Sequence, residues 1–315
     1  MNKNFSELTS LVIGDLMLDI YVHDNEGRES PEKNIPLIFE KNLNYYPGGA
    51  GNVIKNIKTM KGNVIPVGVI GKDMAGKKLK DIFRNDQIDI SNIIESSDVN
   101  TTTKKRIYIN GNQYLRIDND SNFSNKDIQS KIYSNVEKNI SSSDIVILSD
   151  YEKCVLTEDL CIKIINLAKE KNVKVIIDPK KNNIHCYSGA YAITPNFKEA
   201  MKISHLSNLQ EMILYFQKVI VENEIKYVLL KNGDMGMTLI KKNSFKHFEA
   251  EKVEKPDVAG AGDTVISTFS LLLAAGNDID NCVKYSNIAA SLVVSKNETA
   301  SIEIDEVFYQ RSSNE

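Results

Sequence analysis

With 315 residues, a formal charge of −3, 42% hydrophobic and 26% charged residues, the chain has the composition of one large α/β domain, or of one domain with a small appendage. The near-balanced charge offers no general basic field for nucleic acid, no apolar run approaches the roughly 20 residues that span a bilayer, and the opening MNKNFSELTS lacks the apolar core of a signal peptide. Cys154, Cys161, Cys186 and Cys282 show no CxxC spacing, so reduced thiols in a cytoplasmic protein are expected, not a disulfide frame or zinc site.

The first element is SLVIGD, a short apolar run that reads as a buried strand entering a loop at Gly14-Asp15. Residues 35–46, IPLIFEKNLNYY, are β-prone and partly alternating, which predicts a strand with one wet face. GGAGNVIKNIKTMKG then places Val53, Ile54, Ile57 and Met60 at helical spacing and stops at Gly62. NVIPVGVIG is a continuous apolar run, the pattern of a strand covered on both faces, and MAGKKLKDIFRND is helical again. TTTKKRIYINGNQYLRID is a hairpin, two β-prone arms around Asn110-Gly111. From about residue 124 the pattern alternates: helix 124–139, strand SDIVILSD, helix 157–171, strand VKVIIDP, strand AYAITPN, two helices (the second at 207–223), IKYVLLKNG, GMTLIKK with a hairpin return, and two closing helices. Alternating βαβ units with buried strands predict a mostly parallel sheet with right-handed crossovers and helices on both faces.

Five predicted strands end in polar clusters: Gly14-Asp15, Ser149-Asp150, Asp178-Pro179-Lys180, Thr194-Pro195-Asn196 and Lys231-Asn232-Gly233. In open α/β sheets the ligand crevice lies at these carboxyl ends, so the clusters mark an active crevice.

The stretch DVAGAGDTVIS carries the chemistry. Gly260, Ala261 and Gly262 permit a tight turn whose N–H groups point one way, and the apolar run from Val265 continues it as a helix. Such a helix N-terminus attracts phosphate. An aspartate placed there competes with phosphate unless it is aimed at the attacking hydroxyl. Asp263 is therefore a candidate general base, with the Ala261 and Gly262 amides holding the γ-phosphate charge. The alternative is a helix whose first-turn acid merely complements the dipole. The Gly-Lys-Ser/Thr ending of a Walker A loop is missing, and GGAGN follows Pro47, so it is not a dinucleotide fingerprint.

DVAGAGDT resembles the D-T-x-G-A-G-D signature of the ribokinase-like sugar kinases, the PfkB family, and YYPGGAGNV resembles the family's N-terminal G-G-x-x-N motif. GDLMLDIYV, GRESPEKNIPLI, QYLRID, LSDYEK, IDPK and TPNFKE resemble most the heptose 7-phosphate kinases within it, in their single-function form. The resemblance implies a ribokinase-like three-layer α/β/α fold with a mostly parallel central sheet. It also implies a small β-sheet lid from residues of about 20–46 and 98–118, all within one domain, 1–315. It implies ATP and Mg2+, and phosphorylation of the anomeric O1 of D-glycero-β-D-manno-heptose 7-phosphate for ADP-heptose and surface-glycan precursors. By motif, Asp263 is the base and Gly260, Ala261 and Gly262 the anion hole. Asp15, Asp19, Gly48, Gly49, Asn52 and Asp150 face the sugar. Asn196 serves ATP and Glu199 magnesium, with Lys180, Lys231, Gly233 and Asn287 also on the nucleotide side. A sugar phosphate needs cations, for which the hairpin offers Lys104, Arg106 and Arg116, and Lys153 lies near the expected phosphates. An exposed lid edge would pair with its copy in a homodimer. The chain departs from the heptose-kinase pattern at Ala259, where threonine is usual, at Cys154, where glycine is usual, and over SKNETAS, residues 295–301, near the expected adenine site. Two other functions stand beside this one: a PfkB kinase for another sugar or sugar phosphate, and a non-catalytic sugar- or nucleotide-binding regulator on the same fold.

Overall fold

The computed structural model describes residues 3–24, 27–33, 35–121, 123, 125–251, 253 and 257–308. Residues 25, 26 and 34 of the expected lid, and residue 124 of the expected helix, lie outside them. The elements in chain order are β1 (Thr9–Gly14), β2 (Leu16–Asp24), β3 (Arg28–Glu29), β4 (Pro36–Leu37), β5 (Asn42–Gly49), α1 (Ala50–Thr59), β6 (Asn63–Gly71), α2 (Met74–Asn85), β7 (Ile93–Ser96), β8 (Thr102–Ile109), β9 (Asn112–Asn119) and α3 (Lys126–Asn139). They continue with β10 (Ile145–Ser149), α4 (Glu158–Glu170), β11 (Lys174–Asp178), β12 (Ala192–Ile193), α5 (Phe197–Ser204), α6 (Leu209–Glu222), β13 (Tyr227–Lys231), β14 (Met237–Lys241), β15 (Ser244–Phe248), α7 (Ala261–Ala274) and α8 (Ile279–Val294).

The main sheet has nine strands in the order β15-β14-β13-β12-β11-β10-β1-β6-β7, parallel except for β14 and β15. Its strands are apolar because both faces are covered. Alternate side chains feed two separate cores. Val12, Ile147, Ile176 and Leu229 pack under α1, α2, α7 and α8, whereas Leu11, Val146, Ile177 and Leu230 pack under α3 to α6. The result is the three-layer α/β/α arrangement the sequence predicts. The chain leaves β1 for β6 on one side and reaches β10 on the other, so the sheet reverses direction beside β1 and opens a crevice above its carboxyl end.

A second sheet, β5-β2-β8-β9, forms the lid. Asn110 (φ 50°) and Gly111 (φ 79°) both take left-handed conformations, as the tight β8–β9 turn requires. One expectation needs correction. The chain does not enter a loop after Gly14: Asp15 alone separates β1 from β2, and a nine-residue lid strand begins at once. The alternation of Asp19, Tyr21 and His23 along β2, all on one face, gives that strand its polar surface.

Candidate active site

Eight α-helices are described, and six have a side-chain acceptor at the N-cap: Asp73, Asn125, Thr157, Asn196, Asn208 and Asp278. The two without one are α1, capped by Gly49 at φ 56°, and α7, capped by Gly260 at φ 77°. These two first turns meet. Asn52 on α1 donates from Nδ2 to Asp263 Oδ2 on α7 at 2.9 Å. A Cβ on Gly260 would stand 2.5 Å from Asn52 Nδ2, so glycine is required both by its left-handed backbone and by this approach. Asn56, one turn on, donates to the Asn52 main-chain oxygen at 2.9 Å and its Oδ1 at 3.1 Å, and accepts from Thr264 Oγ1 at 3.2 Å.

Asp263 is 5% exposed. Its other oxygen, Oδ1, accepts from the Tyr151 hydroxyl at 2.7 Å. Burial pushes its carboxyl up to about 7, against the hydrogen bonds from Tyr151 and Asn52, which favour the charged form. A carboxyl titrating there is poised to accept a proton near neutral pH. Beside it, Lys231 Nζ holds Asp178 Oδ1 at 2.6 Å, which also accepts from Thr194 Oγ1 at 3.1 Å. A Cβ on Gly262 would lie 3.2 Å from Lys231 Nζ, so the glycine opens the first turn of α7 to that ammonium. Ala261 is the first residue of α7.

Asp15 directs both carboxylate oxygens into the loop after β10, accepting from the N–H groups of Tyr151 (2.9 Å), Lys153 (3.1 Å) and Val155 (3.0 Å). Burial, then the nearby Asp150 charge, raises its pKa, and these three amides oppose the rise. Asp15 thus shapes the loop that delivers Tyr151 to Asp263. Asp150 turns the other way, accepting from Tyr187 Oη at 2.7 Å and pairing with Lys181, below the crevice.

The lid supplies the cations. Lys104 Nζ lies 5.3 Å from the centre of the Tyr151 ring, and burial lowers its pKa. Arg106 lies over Tyr21 at 5.2 Å and approaches Asp19 Oδ1 with Nη1 at 3.1 Å. That contact is not aligned as a hydrogen bond, which leaves both buried atoms without a hydrogen-bond partner among the described residues. A Cβ on Gly48 would lie 2.9 Å from Asp19 Cγ, so Gly48 lets Asp19 sit flat against β5. Arg116 lies opposite Arg106 across the β8–β9 ladder, exposed, and forms a two-pronged pair with Asp118 at 2.8 and 2.9 Å. Lys153 pairs with Asp120 at 2.6 Å.

Of the residues expected to serve the nucleotide, Asn196 and Glu199 form a reciprocal capping box on α5, both bonds 2.9 Å, and Lys180 Nζ meets Glu199 Oε1 at 3.2 Å. A parallel backbone bridge joins Asn196 to Lys231 at the end of β13, which sets the α5 cap beside that strand end. Gly233 (φ 64°) faces open space. Asn287, buried on α8, donates to the Phe248 and Glu249 carbonyls at 3.4 and 2.6 Å, tying α8 to the end of β15. Residues 295–301 meet the lid. Glu298, at φ 62°, accepts from Asn44 and contacts His23 Nε2 at 2.5 Å, and Thr299 bonds Tyr21 Oη at 2.8 Å and Asp19 Oδ2 at 3.3 Å. Asp257 links this stretch to the anion-hole turn, accepting from Glu298 N and Ala259 N, both at 3.0 Å.

Tyr151, Asn56 and Thr299 received no role from the sequence, and Asp178 only its place in a strand-end cluster; Tyr151 lies in the LSDYEK motif and Thr299 in residues 295–301.

The sequence profile of the pfkB family carbohydrate kinases matches residues 8–305. The chain belongs to that family. Its members are ATP-dependent carbohydrate kinases that use Mg2+, and this chain is an enzyme of that class. It is 37% identical over 307 residues to the bifunctional protein HldE of Aliarcobacter butzleri, covering 96% of this chain and 64% of that protein. The chain thus spans under two thirds of that relative. The fold is shared with phosphofructokinase-2 from Escherichia coli in complex with potassium (TM-score 0.84, 17% identity, 97% and 98% of the two chains). It is shared too with Arabidopsis thaliana ribokinase complexed with ribose and ATP (TM-score 0.75, 18% identity, 96% and 97%).

The residues present fit a triphosphate. The uncapped first turn of α7, the space a Gly262 side chain would fill, and the Lys231 ammonium beside it together make an anion cradle. The single carboxylate of Glu199, beside Lys180 and the Asn196 N–H, fits magnesium, since that ion uses one or two carboxylates and completes its shell with phosphate and water.

Proposed function

We propose that the chain transfers a phosphoryl group from ATP to the anomeric O1 of D-glycero-β-D-manno-heptose 7-phosphate. The product is the 1,7-bisphosphate, a precursor for ADP-heptose and surface glycans. The observation that carries the kinase step is the buried Asp263 carboxylate, held by Asn52 and Tyr151 at the mouth of an uncapped helix. Asp263 takes the proton of the O1 hydroxyl. The oxygen, with its electron pair freed, bonds to phosphorus as the bond to the ADP oxygen breaks. Amides of Gly260, Ala261 and Gly262 and the Lys231 ammonium stabilise the charge that spreads over the migrating group. Glu199 and Asn196 would hold magnesium, and Lys180 and Gly233 would lie along the nucleotide; the metal neutralises phosphate charge when bound. Asn287 stands at the adenine side of this arrangement.

The heptose 7-phosphate assignment rests on the motifs that resemble the heptose kinases and on the lid. Asp15, Asp19, Gly48, Gly49 and Asn52 border or support the sugar position, and Asp19 Oδ1 and Arg106 Nη1, an acceptor and a donor whose mutual contact is an ion pair and not a hydrogen bond, would take a hydroxyl and a phosphate. Lys104 and Arg116 extend the cationic surface. The lid excludes water, which would otherwise accept the phosphoryl group. The two sheets are read as one kinase domain with an inserted lid, working in the cytoplasm. The lid edge strand β9 is exposed along its length, with Leu115 and Ile117 uncovered, and two copies would pair there as a homodimer.

The test is ADP release with Mg-ATP and a panel of sugars and sugar phosphates. Turnover with heptose 7-phosphate at a kcat/KM above ribose and fructose 6-phosphate supports the assignment. Preference for another sugar overturns the substrate and leaves the kinase class intact.

A further inference from the structure

We infer that Tyr151 is a positioning residue for the phosphoryl transfer, orienting the Asp263 carboxylate through its hydroxyl and reporting the lid's position through its ring. This deepens the function proposed above and rests on Asp263 being the base. Tyr151 follows β10 and is held on three sides. Its N–H is fixed by Asp15 at 2.9 Å, its hydroxyl donates to Asp263 Oδ1 at 2.7 Å, and Lys104 of lid strand β8 lies 5.3 Å from its ring centre. Tyr151 thereby joins Asp15 between β1 and β2, the lid and the base. A carboxylate acting as base must present one lone pair to the substrate while the others hold it in place. Asn52 pins Oδ2 from α1, and Tyr151 pins Oδ1 from the opposite wall of the crevice. A hydroxyl is the suitable pin, because a phenol whose own pKa is raised well above its ordinary value donates without surrendering its proton.

The charged and titratable groups facing Asp263 are few. Tyr151 approaches from the loop after β10, Asp178 from the end of β11 and Lys231 from the end of β13, while Asn52 on α1 is neutral. Tyr151 and Asn52 favour the ionised carboxylate, as does Lys231, and Asp178 opposes it. Removing the Tyr151 hydroxyl therefore raises the pH at which the base becomes available. The ring contact with Lys104 survives in phenylalanine, so Tyr151→Phe isolates the hydroxyl, whereas Tyr151→Leu removes both.

The experiment is the pH profile of kcat and of kcat/KM for wild type, Tyr151→Phe and Asp263→Asn, each folded as judged by circular dichroism. Tyr151→Phe should lower kcat roughly tenfold at pH 7, leave KM for ATP within about twofold, and shift the acid limb to higher pH, so that the defect shrinks toward pH 9. Tyr151→Leu should add a rise in KM for the sugar phosphate by uncoupling Lys104. A Tyr151→Phe profile superimposable on wild type, or one lowered equally at every pH, overturns the positioning role while the base reading stands. Turnover by Asp263→Asn close to wild type overturns the base reading, and the inference falls with it.

Discussion

Replacing Gly260 by alanine strikes the site through the backbone alone. The new Cβ falls 2.5 Å from Asn52 Nδ2, against a van der Waals separation nearer 3.5 Å, so the amide must retreat by about 1 Å. Asn52 cannot retreat freely, because Asn56 holds both its main-chain and side-chain oxygens. The movement therefore falls on the 2.9 Å bond to Asp263 Oδ2, and the carboxylate loses one of its two pins. The left-handed backbone at φ 77° adds a further cost of about 1–2 kcal/mol for any residue with a Cβ. Together these predict a stability loss of roughly 2–3 kcal/mol and a fall in kcat of about 10²-fold, the usual cost of misplacing a reacting group by about 1 Å. Thermal denaturation and steady-state ADP release measure the two effects. A Gly260→Ala protein with unchanged melting and unchanged kcat would refute the geometry inferred for both first turns.

Arg106→Met should raise KM for the phosphorylated sugar at least tenfold while leaving KM for ATP within about twofold, because it removes the guanidinium that the lid sets beside Asp19; equal loss toward both substrates would contradict it. Cys154→Gly should stabilise the fold by about 0.5–1 kcal/mol in urea denaturation, since Cys154 sits at φ 76°, where glycine avoids the Cβ penalty at a smaller entropic cost. Asp263→Asn should be more stable than wild type at pH 8, by up to a few kcal/mol. The folded carboxyl titrates at about 7 against 3.8 for the free group, so wild type loses stability as pH rises from about 4 to 7, and the variant carries no such loss. A constant difference between pH 4 and pH 8 would show that Asp263 is not destabilised by ionisation.

The architecture was legible in the sequence because five of the parallel strands are apolar runs ending in polar clusters, and the two core layers follow from alternation within those runs. The lid was half legible. Asn110-Gly111 announced the β8–β9 hairpin, but residues 16–24 hid a strand behind Gly14-Asp15, a pair that reads as a turn. Four-residue β7 lacks the length to be told from a loop. At the site, DVAGAGDT pointed to Asp263 and to the tight turn that the fold forms at Gly260, though a first-turn acid that merely complements the dipole would read the same in sequence. Its partner Tyr151 was missed for a physical reason. It lies next to Asp150, an obvious candidate by charge, yet the fold engages Asp150 with Lys181 and Tyr187 while Tyr151 donates to Asp263. Asn196 and Glu199, matched to the family's Asn-x-x-Glu motif, also cap α5 reciprocally, a structural role the motif alone did not announce. Residues 295–301 gave no warning that Glu298 and Thr299 would dock on the lid, because those contacts join segments about 250 or more residues apart.

The central claim is that the carboxylate of Asp263 removes the sugar proton. The most direct measurement is the single-turnover rate of ADP formation by Asp263→Asn with saturating Mg-ATP and heptose 7-phosphate at pH 8, beside its affinity for ATP. The account predicts a rate lower by about 10²–10⁴ with ATP binding retained. A rate within threefold of wild type would contradict it.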